Sequence, residues 1–137
     1  MFFNKKENDK ETTYLIKIGA LLIHAAKIDE EYSELEEKLI KNALLKLGAS
    51  EENLNLLIEK AKKIEEDSNQ ILDFTREIKK QKEIEKIKII EILWRIIYSN
   101  KEADIYETNL MRRLSGLLYI DSKIVGDIKE KIKTENL

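Results

Sequence analysis

The chain contains no proline and no cysteine, and its 137 residues include four glycines and one histidine. Proline and glycine mark most turns and strand ends, so their scarcity favours helices over a sheet. Without cysteine the chain has no disulfide, thiolate nucleophile or sulfur-ligated metal centre, which is compatible with a reducing compartment. We therefore expect an all-α protein located in the cytoplasm.

Neither sign of charge is in excess, since 25 Lys and Arg stand against 27 Asp and Glu for a formal net charge of -2. This balance provides no long-range field that would draw the chain onto a nucleic acid. The most basic stretch, residues 79–82, is flanked by Glu77 and Glu83, which is typical of an ion-paired helix junction. We expect no nucleic-acid partner.

Long hydrophobic runs are also scarce. The longest, from Leu15 to Ile28, is interrupted by Lys17 and His24, and it is shorter than the roughly 20 residues that a membrane-spanning helix needs. It predicts a helix buried in a protein core. Lysines near the apolar tip Phe2-Phe3 leave one alternative open, in which the N-terminal segment associates with a membrane surface.

Apolar residues recur at helical spacing, as in Leu35, Leu39 and Ala43, and no segment alternates with the period of a strand. Side chains that can cap a first turn, such as Ser33, mark the helix starts, and Gly48 marks a helix end. The pattern predicts seven helices at about residues 9–28, 34–47, 51–65, 69–79, 82–99, 105–119 and 122–133. We expect one helical domain over residues 12–133, between a polar tail at 1–11 and a short tail at 134–137.

Two of these segments, residues 14–28 and 84–98, are apolar on nearly every face and should form the centre of a bundle. Similar events follow each of them at a constant offset of 71 residues, which pairs Asp29 with Asn100 and Glu36 with Glu107. This pattern predicts an internal duplication and a pseudo-twofold bundle, with residues 68–79 as the connecting helix. Gly19 should permit a close helix crossing at the centre.

Each central segment leads into an acidic corner. The first reads AKIDEEYSELE from Ala26 to Glu36, and the second reads YSNKEADIYE from Tyr98 to Glu107, after a Leu-Trp pair. These corners resemble those of the TerB-like family, a helical domain named for a tellurite-resistance protein and similar to the N-terminal region of the co-chaperone DjlA. The resemblance covers about residues 12–133. It implies an accessory or sensing domain of stress-resistance or chaperone systems, with a metal site.

The acidic corners have two possible roles. If the pseudo-twofold brings them together, Asp29, Glu36, Asn100 and Glu107 offer oxygen ligands to one calcium, magnesium or manganese ion. In the alternative, the glutamates complete capping boxes with Ser33 and Asp104, and the corners are purely structural. His24 and Trp94 are expected to be packing residues.

The chain offers no nucleophile, base and orienting partner at spacings that would bring them together, so we expect no catalysis. The sequence leaves two functions open. One is a non-catalytic accessory domain that binds a divalent cation at its acidic corners and is linked to tellurite or other stress resistance. The other is a protein-interaction module of a chaperone or membrane-associated stress system, which recruits an unknown protein partner through a helix face.

Overall fold

The computed structural model describes residues 2–28, 33–67, 71–100 and 105–135, and the side chains of these residues except 2–10 and 100. Over these ranges the chain forms seven α-helices and two short 3-10 helices, with no strand, which confirms the all-α fold. The helices are α1 (Phe2–Lys27), α2 (Glu34–Lys46), α3 (Glu51–Asp67), α4 (Leu72–Thr75), α5 (Glu83–Ile97), α6 (Ile105–Leu117) and α7 (Ser122–Glu135). The 3-10 helices are Ile78–Lys80 and Tyr98–Asn100.

The helices α1 and α5 pack against each other at the centre of the bundle, as their apolar composition predicts. In α1, residues 20–23 are all completely buried, and Ile89, Ile90 and Leu93 of α5 are buried to the same extent. The other long helices pack around this pair, with α2 and α3 against α1 and with α7 against α5. A hydrophobic core therefore extends through both halves of the chain.

Gly19 makes the close approach that its size permits, but it does so with α3. A Cβ atom built on Gly19 would lie 3.1 Å from the Cβ of Ala61, so a larger residue would push the two helices apart. The tightest helix contact at this glycine therefore joins α1 to α3, and not to the second central helix α5.

On the other side of the core, α5 is fixed to α7 by Trp94. The indole Nε1 donates a hydrogen bond of 3.1 Å to the carbonyl of Val125, and the Nζ of Lys129 lies 5.6 Å from the ring centroid. Trp94 is thus a packing residue, as its position on an apolar helix predicts.

The connecting helix predicted at residues 69–79 is the one element that differs in kind. The described part of this segment contains a single helical turn, α4, followed by a bend and the 3-10 helix Ile78–Lys80. Its apolar side chains Ile71, Phe74 and Ile78 are all buried, and α4 packs between α1 and α6. Packing against two helices at once bends the chain and thereby interrupts a helix that the local sequence would otherwise allow.

The first helix begins at Phe2, earlier than the predicted start at residue 9, because no proline or glycine precedes Gly19. None of the described helices combines the length and the apolar composition required to cross a bilayer.

Corresponding helices in the two halves match at the predicted offset. The helices α2 and α6 have the same length and begin 71 residues apart, and so do the first residues of α3 and α7. The turn after α2 is repeated after α6, with positive φ angles of 116° at Gly48 and 57° at Tyr119. The amide of Ala49 bonds to the carbonyl of Leu44, as Ile120 does to Ser115. An origin by duplication stays a prediction.

Candidate functional site

The first acidic corner ends in the capping box that the sequence predicts. Ser33 is the N-cap of α2, and its hydroxyl oxygen accepts a hydrogen bond of 3.1 Å from the amide of Glu36. The Oε1 atom of Glu36 accepts from the Ser33 amide at 3.1 Å and from the Ser33 hydroxyl at 3.0 Å. The Glu36 side chain is nevertheless almost completely buried, with 2% of its surface exposed, which is unusual for a carboxylate.

Glu107 occupies the corresponding place in the second half. It is the third residue of α6, as Glu36 is of α2, and it is 4% exposed. Its negative charge acts on a neighbouring phenol, since burial raises the pKa of Tyr98 and the carboxylates of Glu130 and Glu107 add to the effect. The sequence therefore selected two carboxylates that are both withdrawn from solvent at the start of a helix.

The other two predicted ligands are not described to the same extent. Asp29 lies outside the described residues, and so does Asp104, the predicted partner of Glu107 in a capping box. Asn100 is the last residue of the second 3-10 helix, and its side chain is not described. Whether the two corners share one ion is therefore a prediction.

The donor set was tested for its fit to a metal. Carboxylate oxygens such as those of Glu36 and Glu107 are the ligands that calcium, magnesium and manganese take. Within the described ranges, however, no three acidic or histidine side chains form a cluster that would hold an ion. A complete site at the corners therefore requires ligands from Asp29 or Asn100, or from water.

His24 lies away from this donor set and interacts with α3 and α4. Its Nδ1 atom is 3.4 Å from Oε1 of Glu65, whose other oxygen accepts a 2.9 Å hydrogen bond from Lys27. Its ring also contacts Phe74, with the centroids 6.2 Å apart. The half-buried histidine is thus a packing residue, as predicted, although nothing in the sequence pattern indicated Glu65 as its partner.

Sequence reasoning also missed a cationic cluster around Tyr119. The Nζ atoms of Lys79 and Lys86 lie 5.6 and 5.9 Å from the centroid of this exposed ring, and Lys86 itself is buried. The basic stretch at residues 79–82 is therefore engaged with an aromatic residue from the α6–α7 turn. The offset of 71 residues could have indicated Tyr119, because it pairs this tyrosine with Gly48 at a position that favours glycine.

A second missed feature is an open cleft of about 390 Å³ between α2 and α5. Its apolar surface comes from both helices, and charged side chains stand at its edge. The lining residues on α2 and its C-terminal turn are Leu39, Asn42, Ala43, Lys46 and Leu47, and those on α5 are Lys88, Glu91, Ile92, Arg95 and Ile96. We refer to this feature as the α2–α5 cleft.

Comparisons with known proteins give one finding. A family model described as "Tellurite resistance protein TerB" matches residues 15–130, which is most of the chain and includes both acidic corners. No curated protein and no solved structure gives a significant match.

Proposed function

Because the chain belongs to the TerB family, we propose that it is a non-catalytic accessory domain that binds a divalent cation at its acidic corners. The observation that supports this proposal is the burial of Glu36 and Glu107 at corresponding positions of α2 and α6. Withdrawing a carboxylate charge from water is costly unless hydrogen bonds or an opposite charge compensate it. A cation near both glutamates would provide that compensation, together with Asp29 and Asn100.

Binding at these corners would have a mechanical consequence. The first corner joins the central helix α1 to α2, and the second joins the central helix α5 to α6. An ion that ties the two corners together would fix the directions in which α2 and α6 leave the core. A domain of this kind reports the presence of a cation by its stability and shape, and catalysis is not needed.

The family also suggests a link to tellurite resistance, and we include that link in the proposal at the level of the family alone. Tellurite is an oxyanion whose reduction requires electrons, and this chain has no cysteine to supply them. The role we propose is therefore accessory to resistance, with the chemistry carried out by other proteins.

Thermal unfolding of the chelator-treated protein tests the cation site. An ion present at 100 times its dissociation constant stabilises the fold by about 2.7 kcal/mol, which is several degrees in Tm for a chain of this size. We expect calcium, magnesium or manganese to raise the Tm of the wild type. Glu36→Gln and Glu107→Gln should abolish or strongly reduce the rise, because each removes a charged ligand.

Glutamine is the informative replacement because it still serves in a capping box. A structural cap would therefore tolerate Glu36→Gln, whereas an ion ligand would not. Glu52→Gln is the matched control, since Glu52 is an exposed carboxylate in the first turn of α3, and it should leave the response to ions unchanged. If no ion changes the Tm of the wild type, the cation proposal is wrong.

The second candidate function is a protein-interaction module in which the corners are structural. The α2–α5 cleft favours it, because the cleft leaves apolar side chains of two core helices accessible to a partner. Exposed Ile105 and Tyr106 at the start of α6 add to the apolar surface of the domain. This candidate does not require a cation.

A further inference from the structure

We propose that the α2–α5 cleft binds a short amphipathic helix of a partner protein, and that this helix carries an aromatic anchor beside acidic residues. The inference rests on the second candidate function and adds to it a surface and the chemistry of its partner. It is independent of cation binding at the corners.

The cleft has the form of a helix-binding groove. Its α2 wall is lined by residues 39, 42, 43, 46 and 47, and its α5 wall by residues 88, 91, 92, 95 and 96. Both sets follow the spacing of a single helix face, so each helix contributes one continuous stripe about 12 Å long. A groove of that length between two helices accommodates about two turns of a third helix.

The same fold contains a corresponding groove that is already filled. At the offset of 71 residues, α5 corresponds to the central part of α1, and α2 corresponds to α6. Between α1 and α6 lies α4, which packs against both helices and buries Phe74. The connecting segment therefore occupies one of two equivalent grooves, and the α2–α5 cleft is the other one.

Burial of the lining residues agrees with this difference. Leu21, Leu110 and Leu118 of the filled side are all buried. Their counterparts in the open cleft, Ile92, Leu39 and Leu47, are only partly buried. The apolar surface that α4 covers on one side thus remains partly accessible to solvent on the other.

The filled groove also shows which chemistry it accepts. Lys17 of α1 donates a hydrogen bond of 3.3 Å to the carbonyl of Asp73, and the ring of His24 contacts the ring of Phe74. The residues at the corresponding positions of α5 are Lys88 and Arg95, and both line the cleft. A lysine is thus retained for an oxygen acceptor, and an arginine, which stacks on aromatic rings, replaces the histidine.

The edge of the cleft favours a partner with negative charge. Lys46 stands on the α2 wall, and Lys88 on the α5 wall has only a long contact of 3.9 Å to Glu85. Arg95 pairs at 2.9 Å with both Glu91 and Glu135, so the two lysines carry most of the unbalanced charge. Acidic side chains beside the aromatic anchor would meet a lysine on either wall.

A peptide based on α4 is the probe for this proposal. It copies residues 71–78, ILDFTREI, with Arg76→Glu to increase its negative charge, and it is labelled for fluorescence anisotropy. Titration with the chelator-treated protein should give saturable binding. Replacing Phe74 by Ala in the peptide should weaken binding about tenfold, as expected for a buried aromatic anchor.

Two protein variants locate the binding. Ile92→Glu places a negative charge on the cleft wall and should weaken binding of the acidic peptide about tenfold or more. Ile84→Glu is the matched control, because Ile84 is exposed on the same helix and does not line the cleft. It should leave the Kd unchanged, and circular dichroism should show that both variants are folded.

The possible failures are distinguishable. Unchanged binding to Ile92→Glu would overturn the cleft as the site, while an interaction role elsewhere on the domain would stand. No binding of the peptide to the wild type would overturn the proposed partner chemistry. A dimer that Ile92→Glu dissociates would show that a second copy of the chain occupies the cleft, and would overturn a separate partner.

Discussion

At the scale of single residues, buried polar groups are the most informative features of this protein. Tyr14 is an example on the central helix α1, where its hydroxyl oxygen is buried and no hydrogen-bonding partner lies within reach among the described residues. Burial, assisted by the negative charge of Glu85, raises the pKa of the Tyr14 phenol to about 12. The folded protein therefore favours the neutral phenol.

This pKa predicts a loss of stability at alkaline pH. A tyrosine in the unfolded chain ionises near pH 10, so between roughly pH 10 and 12 the unfolded state releases its proton first and the free energy of unfolding falls. Tyr14→Phe should remove this share of the decline. At neutral pH it should be neutral or stabilising by up to about 1 kcal/mol, because it deletes a buried hydroxyl.

Urea unfolding at about pH 7 and about pH 11 measures both effects. Tyr106→Phe is the control, since Tyr106 is exposed and should not change the pH dependence. Tyr98, whose pKa is also raised, will retain its own contribution in either variant. A Tyr14→Phe protein as sensitive to alkaline pH as the wild type would contradict the prediction.

At the scale of secondary structure elements, helix ends decide how the halves of the chain are joined. The turns after α2 and α6 share their hydrogen bonds and a positive φ angle, but one uses Gly48 and the other uses Tyr119. A left-handed backbone costs a non-glycine residue about 1 kcal/mol. In the second turn, contacts of the ring with Lys79 and Lys86 offset part of this cost.

Glycine substitutions should therefore have opposite signs at different positions. Gly48→Ala should destabilise the protein by about 1 kcal/mol or more, because of its φ angle of 116° and the Glu11 oxygen that lies 3.2 Å from the new Cβ. Gly126→Ala should stabilise it by up to about 1 kcal/mol, since Gly126 is inside α7 with open space around it. Chemical denaturation of both variants measures the difference, and equal effects would contradict it.

Most helices were predictable from the sequence because two independent signals agree on them. The predicted ranges 34–47 and 105–119 match α2 and α6, since apolar spacing defines the helix and a cap defines its start. The connecting segment was not predictable in the same way. Its residues keep helical spacing from Ile71 to Ile78, and the interruption comes from packing between α1 and α6.

At the scale of the whole molecule, the two halves have similar helices but different surroundings. The connecting segment lies against α1 and α6 and leaves the α2–α5 cleft open. The sequence predicted Glu36 and Glu107 as site residues because they recur at a fixed offset next to a central helix. It could not predict the cleft, because a cleft depends on where a non-repeated segment packs in three dimensions.

Stability should be unevenly distributed across this architecture. The buried parts of α1 and α5 should open only with global unfolding, so hydrogen exchange of amides such as those of Leu22 and Ile90 should be the slowest. The single turn α4 should exchange faster through local opening, because few backbone hydrogen bonds hold it. Native-state exchange detected by NMR measures this order. Equal protection of α4 and α1 would show that the connecting segment is an integral part of the core.

The burial of Trp94 makes this protein its own optical reporter. Trp94 is the single tryptophan of the chain, and it lies on the side of α5 opposite Ile92 and Ile96, with its indole bonded to α7. Its emission therefore originates from one place in the core, beside a helix that also forms a wall of the cleft. Any event that displaces α5 from α7 would change the colour and intensity of that emission without a label.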